Sequence, residues 1–439
     1  MKKIAIGIRR EDINPWEKRV PLIPSHIREL QRNHPLEFRL QPSTQRILRD
    51  ADYAAEGARI DEDLSSCSIL FAIKEIPLPV FAKDKVYVFF SHTAKGQPHN
   101  MPMLKRMTEL GCTLIDYEKM VDDQGRRVLF FGRQAGFAGM MDTLWSYGQA
   151  LKADGLGTAF AAIRQTIRYL NLTEAREAVQ RLGREIRDNG LDPRLVPFVC
   201  GFAGYGHVSL GAQEIFDLLP VEEVAPRDLE AFVKSGNASA HRAYKVVFKE
   251  EDMVLPREAG AAFDLQDYYS HPEKYEADFE RYLPHLNILV NGIYWTPRYP
   301  RFVTQDALRR LYAPDVAPKL RVIGDVSCDV DGSLASTVKA TDPDHPVYVY
   351  DPYQGRALDG FEGRGPVVMA VYNLPAEIPL ESSVFFSQAL KPHVPAIATA
   401  NYDGTFADCR LPDVVKRAVI LFRGRLTPDY AYLQERIDS

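Results

Sequence analysis

One stretch constrains this chain more than any other: a strand-forming run that stops in a cluster of glycines and restarts as a helix. Leu195–Cys200 is rich in β-formers. Gly201-Phe-Ala-Gly-Tyr-Gly-His-Val-Ser-Leu-Gly211 follows, and Ala212, Ile215, Phe216 and Leu219 then recur at helical spacing. Within the cluster, Gly204-Tyr205-Gly206-His207-Val208-Ser209 has the spacing and the strand–turn–helix setting of a dinucleotide fingerprint. The first glycine permits the tight turn. The second lets backbone approach a pyrophosphate, whose charge sits on helix N–H groups. Ser209 stands where a third glycine is usual, and its small side chain is compatible with close helix–strand packing.

A residue that reads the ribose is expected about 20 positions further on. That zone is Val221-Glu-Glu-Val-Ala-Pro-Arg227-Asp228. Arg227 suits a 2′-phosphate, which makes NADP the preferred cofactor. Asp228 suits a 2′-hydroxyl, so NAD stays open, as does a charged loop with neither role.

Short apolar runs alternate with helix-like stretches on both sides of this motif, which indicates an α/β protein with mainly parallel sheets. Ile4–Ile8, Ser68–Lys74, Val86–Ser91 and Leu114–Tyr117 are strand candidates, with a helix expected over Ser25–Arg32. Gly132–Gly139 is read as introducing a helix over Met140–Ala153. A first domain is therefore placed at 1–150 and a helical connection at 151–190. The fingerprint domain follows at 191–373, with a polar, aromatic insertion near 242–285. A tail at 374–439 is expected to pack back on the first domain, with helices over Pro379–Leu390 and Pro412–Phe422.

Lys74 ends the run Ile69-Leu-Phe-Ala-Ile-Lys, and His92 ends Tyr87-Val-Phe-Phe-Ser-His. Polar residues at the carboxyl ends of parallel strands face the crevice where open α/β sheets bind ligands. A lysine driven toward neutrality by burial, beside a histidine, forms an acid/base pair. Arg19 and Arg126 lie in turn-like segments; their forks suit carboxylates, though the residues alone favour ordinary surface charge.

Composition excludes several classes. Lys and Arg total 54 against 59 Asp and Glu, a net charge of −5, so gripping a phosphate backbone is not the expected task. No run of about 18 apolar residues suggests a membrane span. Arg9, Arg10, Glu11 and Asp12 interrupt the first apolar run, which therefore does not read as a signal peptide. The 5 cysteines are scattered with no CxxC, as in reduced cytoplasmic proteins. Asp329-Val-Asp331-Gly332 begins like a calcium loop, but Val338 falls where its bidentate glutamate belongs, and no metal site is expected.

Several segments together resemble one family. They are Arg9-Arg-Glu-Asp-Ile-Asn-Pro-Trp-Glu-Lys-Arg19-Val-Pro-Leu, Phe89-Phe-Ser-His92-Thr-Ala-Lys-Gly-Gln97, Asp116-Tyr-Glu118-Lys-Met-Val and Phe137-Ala-Gly-Met. Further along come Gly204-Tyr-Gly-His-Val-Ser-Leu-Gly-Ala-Gln, Asn291-Gly-Ile-Tyr-Trp, Gly324-Asp325-Val-Ser-Cys-Asp329, Tyr372-Asn-Leu-Pro-Ala and Leu426-Thr-Pro-Asp-Tyr. In this order they resemble lysine–ketoglutarate reductases and lysine-forming saccharopine dehydrogenases, within the alanine dehydrogenase/transhydrogenase-like group. The resemblance implies two Rossmann-like domains flanking an interdomain cleft. It implies NAD(P)-dependent condensation of lysine with 2-oxoglutarate to saccharopine, or the reverse. By motif match, Lys74 and His92 would be catalytic, and Arg19 and Arg126 would hold substrate carboxylates. Glu75, Gln97 and Glu118 would tune or contact the amine, and Asp325 and Asp329 would lie near the nicotinamide. Many relatives carry a second, saccharopine-splitting enzyme after this region. The chain ends soon after Leu426, so that activity is expected elsewhere. Small molecules are the expected partners, with a homo-oligomer left open. Two rival readings remain at this point: an opine-type or amino-acid dehydrogenase with another amine or keto acid, and a silent nucleotide-binding regulatory module.

Overall fold

The alternation of short apolar runs and helices produces two separate sheets. The computed structural model describes residues 3–438. One unit comprises Met1–Phe131 with Pro379–Ser439, the other Gly132–Ile378.

The first unit is built on β1 (Ile4–Ile8), β2 (Leu36–Leu40), β3 (Arg59–Ile60), β4 (Ile69–Phe71), β5 (Val86–Phe89) and β6 (Thr113–Asp116). They run parallel in the order β6-β5-β4-β1-β2-β3. Every residue of β4 and β5 is buried, as in a sheet covered on both faces. Beyond β6, Val419–Phe422 pairs antiparallel, followed by Arg425–Leu426. This corrects the helix expected over Pro412–Phe422: only Asp413–Lys416 is helical. Val419-Ile-Leu-Phe422 is buried throughout. Periodicity cannot distinguish such a run from a buried helical segment, and the free edge of β6 takes it as a strand.

The second unit contains β7 (Phe198–Ala203), β8 (Val221–Glu223), β9 (Ala243–Phe248), β10 (Val254–Pro256), β11 (Tyr275–Ala277), β12 (Ile288–Asn291), β13 (Val322–Asp325), β14 (Val347–Asp351), β15 (Arg356–Asp359) and β16 (Val367–Met369). Its main sheet has the order β8-β9-β7-β12-β13-β16-β14-β15. The first six are parallel, β14 runs antiparallel to β16, and β15 runs antiparallel to β14. Two differences from the expected layout matter for function. The strand following the fingerprint helix, β8, goes to the sheet edge, and β9 returns to lie beside β7. The stretch 242–285 is therefore not wholly an insertion, because it opens with a central strand. Only the residues after β9, including the β10–β11 ribbon and the helix Leu265–Ser270, stand outside the sheet.

The helix expected over Met140–Ala153 begins at Gly132. Its glycines are contact points rather than a preceding turn. A β-carbon on Gly136 would lie 2.0 Å from the carbonyl oxygen of Val208, and one on Gly211 would lie 2.3 Å from that of Arg133. Long helix and fingerprint helix thus cross backbone to backbone. Thr143 packs on Gly324 of β13, where a β-carbon would meet its Oγ1 at 2.1 Å. The helix covers the second sheet, and so the division falls at 131/132 rather than near 150. Residues 151–190 also belong to the second unit. Gly136→Val should lower the unfolding free energy by about 3 kcal/mol, since the clash is with main chain that cannot rotate away. Urea unfolding of the full chain checks this. No helix among the described residues is long and apolar enough to cross a membrane.

Candidate active site

In the first unit, β4 and β5 lie side by side and end together. The ladder continues past them, with Phe90 N–H donating to the Ile73 carbonyl at 3.0 Å. Lys74, Glu75 and His92 therefore emerge at one end of the sheet. His92 has φ +52°, a left-handed conformation unusual for a side-chain-bearing residue. Its Nδ1 lies 2.5 Å from Glu75 Oε1, and its carbonyl accepts from Asn100 Nδ2 at 3.0 Å. Lys74 is half-buried. Burial, reinforced by the Arg19 charge, lowers the pKa of its amine, against the opposing pull of Glu75, Glu17 and Glu11. Burial pushes Glu75 upward, but the His92 hydrogen bond, the His92 charge and Lys74 bring it below the usual carboxylate range. A lysine whose neutral form is favoured thus stands next to a carboxylate bonded to a histidine. Lys74 and the hydrogen-bonded Glu75–His92 pair are proton-carrying groups at one end of the sheet.

The other residues expected here fall in different settings. Arg19 is buried with Glu17, donating from Nε to Oε1 at 2.8 Å and from Nη2 to Oε2 at 2.6 Å. Its guanidinium also lies 4.4 Å from the centre of the Phe131 ring. Arg126 is 72% exposed and bonded to Asp122 on an outer turn. Its neighbour Arg127 pairs with Glu118 at 2.5 Å, so the turn presents the second arginine, not the first, to that carboxylate. Gln97 is exposed at the start of the turn Pro98–Asn100. Besides Glu17, two buried acids of the first unit carry no role from sequence, Asp116 and Glu11. Asp116 accepts from Glu118 N–H at 2.7 Å and from the Ser91 hydroxyl, and Glu11 accepts from main-chain amides behind Lys74. Nothing in spacing marks either, since their partners are brought together by the sheet.

In the second unit, the fingerprint lies at the end of β7, where strand order reverses between β9 and β12. Gly204 has φ +93°, a turn conformation that favours glycine. Gly206 precedes the helix His207–Phe216, and a β-carbon on it would have nothing within 4 Å. That open space above the first helical N–H groups is the cradle a pyrophosphate requires. Ser209 is buried and accepts from Gln213 Nε2 at 3.0 Å, so its hydroxyl is satisfied within the helix. Tyr205, His207 and Val208 complete the turn. A cavity of ≈ 500 Å³ opens beside it, lined by Gly204, Tyr205, Gly206, Glu250, Tyr269 and Trp295 among others. These residues fit a dinucleotide, with aromatic rings for a base and a carboxylate for a ribose.

The residues at the ribose-reading spacing lie away from this cavity. Arg227 is 87% exposed after the edge strand β8, 3.7 Å from Asp228, and neither lines the cavity. The strand beside β7 is β9, and just past its end stands Glu250, bonded to the Tyr269 hydroxyl at 2.6 Å. Asp325, at the end of β13, is buried and accepts from Asn291 Nδ2 at 2.9 Å, Thr337 Oγ1 at 2.5 Å and Cys328 N–H at 3.2 Å. Burial raises it to about 6. Asp329 is exposed in the loop beyond, where Cys328 and Asp331 both have positive φ.

Comparison with known proteins agrees with this architecture. Residues 7–138 match the family model "Alanine dehydrogenase/PNT, N-terminal domain". The chain is 38% identical over 98% of its length to alpha-aminoadipic semialdehyde synthase of Arabidopsis thaliana, covering 41% of that protein. It is 35% identical over 99% of its length to the mitochondrial enzyme of that name from Bos taurus, covering 48%. The chain thus spans a little under half of these relatives. A saccharopine dehydrogenase [NAD(+), L-lysine-forming] of Emericella nidulans is 26% identical, with 87% of this chain and 89% of that protein aligned. Among solved structures, an L-alanine dehydrogenase superposes with a TM-score of 0.63 at 17% identity, covering 99% of this chain and all of that one, which supports the fold. The chain is thus similar over nearly its whole length to alpha-aminoadipic semialdehyde synthases, and its residues 7–138 match the alanine dehydrogenase/PNT N-terminal domain.

Proposed function

We propose that the chain is a nicotinamide-dependent oxidoreductase that joins the ε-amine of lysine to the keto carbon of 2-oxoglutarate and reduces the imine to saccharopine, or runs this in reverse. The observation that carries the reading is the Lys74–Glu75–His92 cluster at two adjacent strand ends, in a chain that also holds an open dinucleotide cradle at Gly204–Gly206.

The chain's own groups have defined tasks in this reading. Neutral Lys74 accepts the proton released as the substrate amine attacks the keto carbon. His92, oriented by Glu75, donates to the leaving hydroxyl as water departs. The carboxylates of 2-oxoglutarate and of lysine need cations, for which Arg19, Arg126 and Arg127 are proposed. Each is paired with a carboxylate of the chain (Glu17, Asp122 and Glu118) that a substrate would have to share or displace, and Glu118 and Gln97 are assigned to the amine end. Bound dihydronicotinamide supplies the hydride. Asp325 holds Asn291 and Thr337 in the loop region assigned to that end of the cofactor. Purified protein should oxidise the reduced dinucleotide only when lysine and 2-oxoglutarate are both present. Turnover with a different amine in place of lysine would favour an opine-type enzyme instead.

The cofactor preference that the cavity supports is NAD, not the NADP suggested by Arg227. A carboxylate at the end of the strand next to the fingerprint accepts from a ribose 2′-hydroxyl and repels a 2′-phosphate. Glu250→Ala should raise the NADPH/NADH ratio of kcat/KM by about tenfold, a change of about 1.4 kcal/mol. Arg227→Ala should leave that ratio unaltered. A ratio that moves with Arg227 and not with Glu250 would restore the first assignment.

A further inference from the structure

Glu11 is a buried carboxylate that the proposed reaction does not use. It sits where β1 parts from β4. Arg9 N–H still donates to the Phe71 carbonyl at 2.9 Å, and the β1 main chain then leaves the ladder. The next amides of the β4 side would lose their partners there, at a buried position where an unpaired N–H is costly. The Glu11 side chain takes over. Its Oε1 accepts from Ile73 N–H at 2.6 Å and its Oε2 from Lys74 N–H at 3.0 Å. One carboxylate thus clamps two successive amides, the second belonging to the proposed proton acceptor itself.

The clamp is also part of the charge around the amine. The groups facing Glu11 are Glu17 and Arg9 from its own segment, Lys74 from beyond β4, Arg46, and the hydroxyl of Tyr117. Those facing Lys74 are Arg19, Glu75, Glu17 and Glu11. Burial and the Glu17 charge push Glu11 up to about 7, against the pull of the two amides and Arg9. Above that pH its negative charge is present and favours the protonated lysine, opposing burial and Arg19.

We propose that Glu11 is a positioning residue for Lys74: its carboxylate anchors the main chain from which Lys74 and Glu75 project, and its charge adds to the carboxylates that surround the Lys74 amine. The catalytic consequence rests on the reductive-condensation reading above, whereas the effect on the amine does not. Two substitutions separate the parts. Glu11→Gln removes the charge and turns one acceptor oxygen into a donor facing an N–H. Glu11→Asp keeps the charge but is one methylene too short to hold both amides.

The test is the pH dependence of Lys74 acylation by acetic anhydride in the full chain, read by mass spectrometry of the Lys74 peptide, beside steady-state kinetics. In Glu11→Gln the reactivity midpoint should fall by about 0.5 pH unit or more, because a carboxylate that favoured the charged amine is gone. The acid limb of kcat/KM should move by the same amount. In Glu11→Asp the midpoint should stay within about 0.2 unit of wild type while kcat drops about tenfold, as a misplaced proton acceptor requires. Dinucleotide affinity should be unchanged in both. An unmoved midpoint in folded Glu11→Gln, or wild-type kcat in Glu11→Asp, overturns the proposal. If wild type does not turn over lysine and 2-oxoglutarate, the reaction assignment fails, and the acylation midpoint still decides the role of Glu11.

Discussion

Lys74→Met is expected to lower kcat by about a hundredfold to ten-thousandfold, the range for loss of a positioned proton acceptor, with dinucleotide affinity within about twofold of wild type. Methionine keeps the length and apolar stem of lysine, so the half-buried position stays filled. What disappears is an amine whose neutral form burial and Arg19 favour. The pH profile carries the sign of the argument. The lysine acts as a base in its neutral form, so wild-type kcat/KM should fall as pH drops through its lowered pKa, and Lys74→Met should lose that limb. Steady-state kinetics together with cofactor titration read both effects. Weakened cofactor binding equal to the loss in kcat would place Lys74 at the wrong site.

The second large effect is expected at Gly206. Its φ of −78° and ψ of −173° are open to any residue, and the space around its missing side chain is empty in the free protein. Gly206→Val should therefore fold with nearly unchanged thermal stability. Its branched side chain would fill the space that a pyrophosphate must enter to reach the helix N–H groups. The dissociation constant for NADH should rise at least about a hundredfold, or about 2.7 kcal/mol. Calorimetric titration of the folded variant measures this. Unchanged affinity would mean that the turn does not hold the phosphates.

These expectations show where the chain is legible and where it is not. The strands Ile4–Ile8 and Val86–Phe89 and the turn Gly204–Gly206 are local features, set by apolar runs and by glycines, and the structure has them where the residues indicate. Strand neighbours are not local. The rule that places a ribose-reading residue about 20 positions after the glycines assumes that the next strand lies beside the first. Here β8 goes to the edge and β9 lies beside β7, so the spacing rule points to Arg227 and Asp228, which follow the edge strand, whereas Glu250 follows the neighbouring one. The same limit hid the glycine contact of the long helix, since Gly136 reads as a turn residue until Gly211 is seen opposite it. Glu11 was visible within the Arg9–Arg19 segment, but its bond to the Lys74 amide spans the gap between two strands, which no spacing encodes.

In the proposed reaction, Lys74 and His92 act on a lysine–oxoglutarate imine that a dihydronicotinamide reduces. The most direct measurement follows isotope from cofactor to product. Protein supplied with lysine, 2-oxoglutarate and NADH deuterated at the transferable position should form saccharopine that carries one deuterium on the former keto carbon. No labelled product should form when either substrate is omitted. Folded protein that binds the cofactor yet forms no labelled adduct, or that labels one substrate alone, would contradict the account.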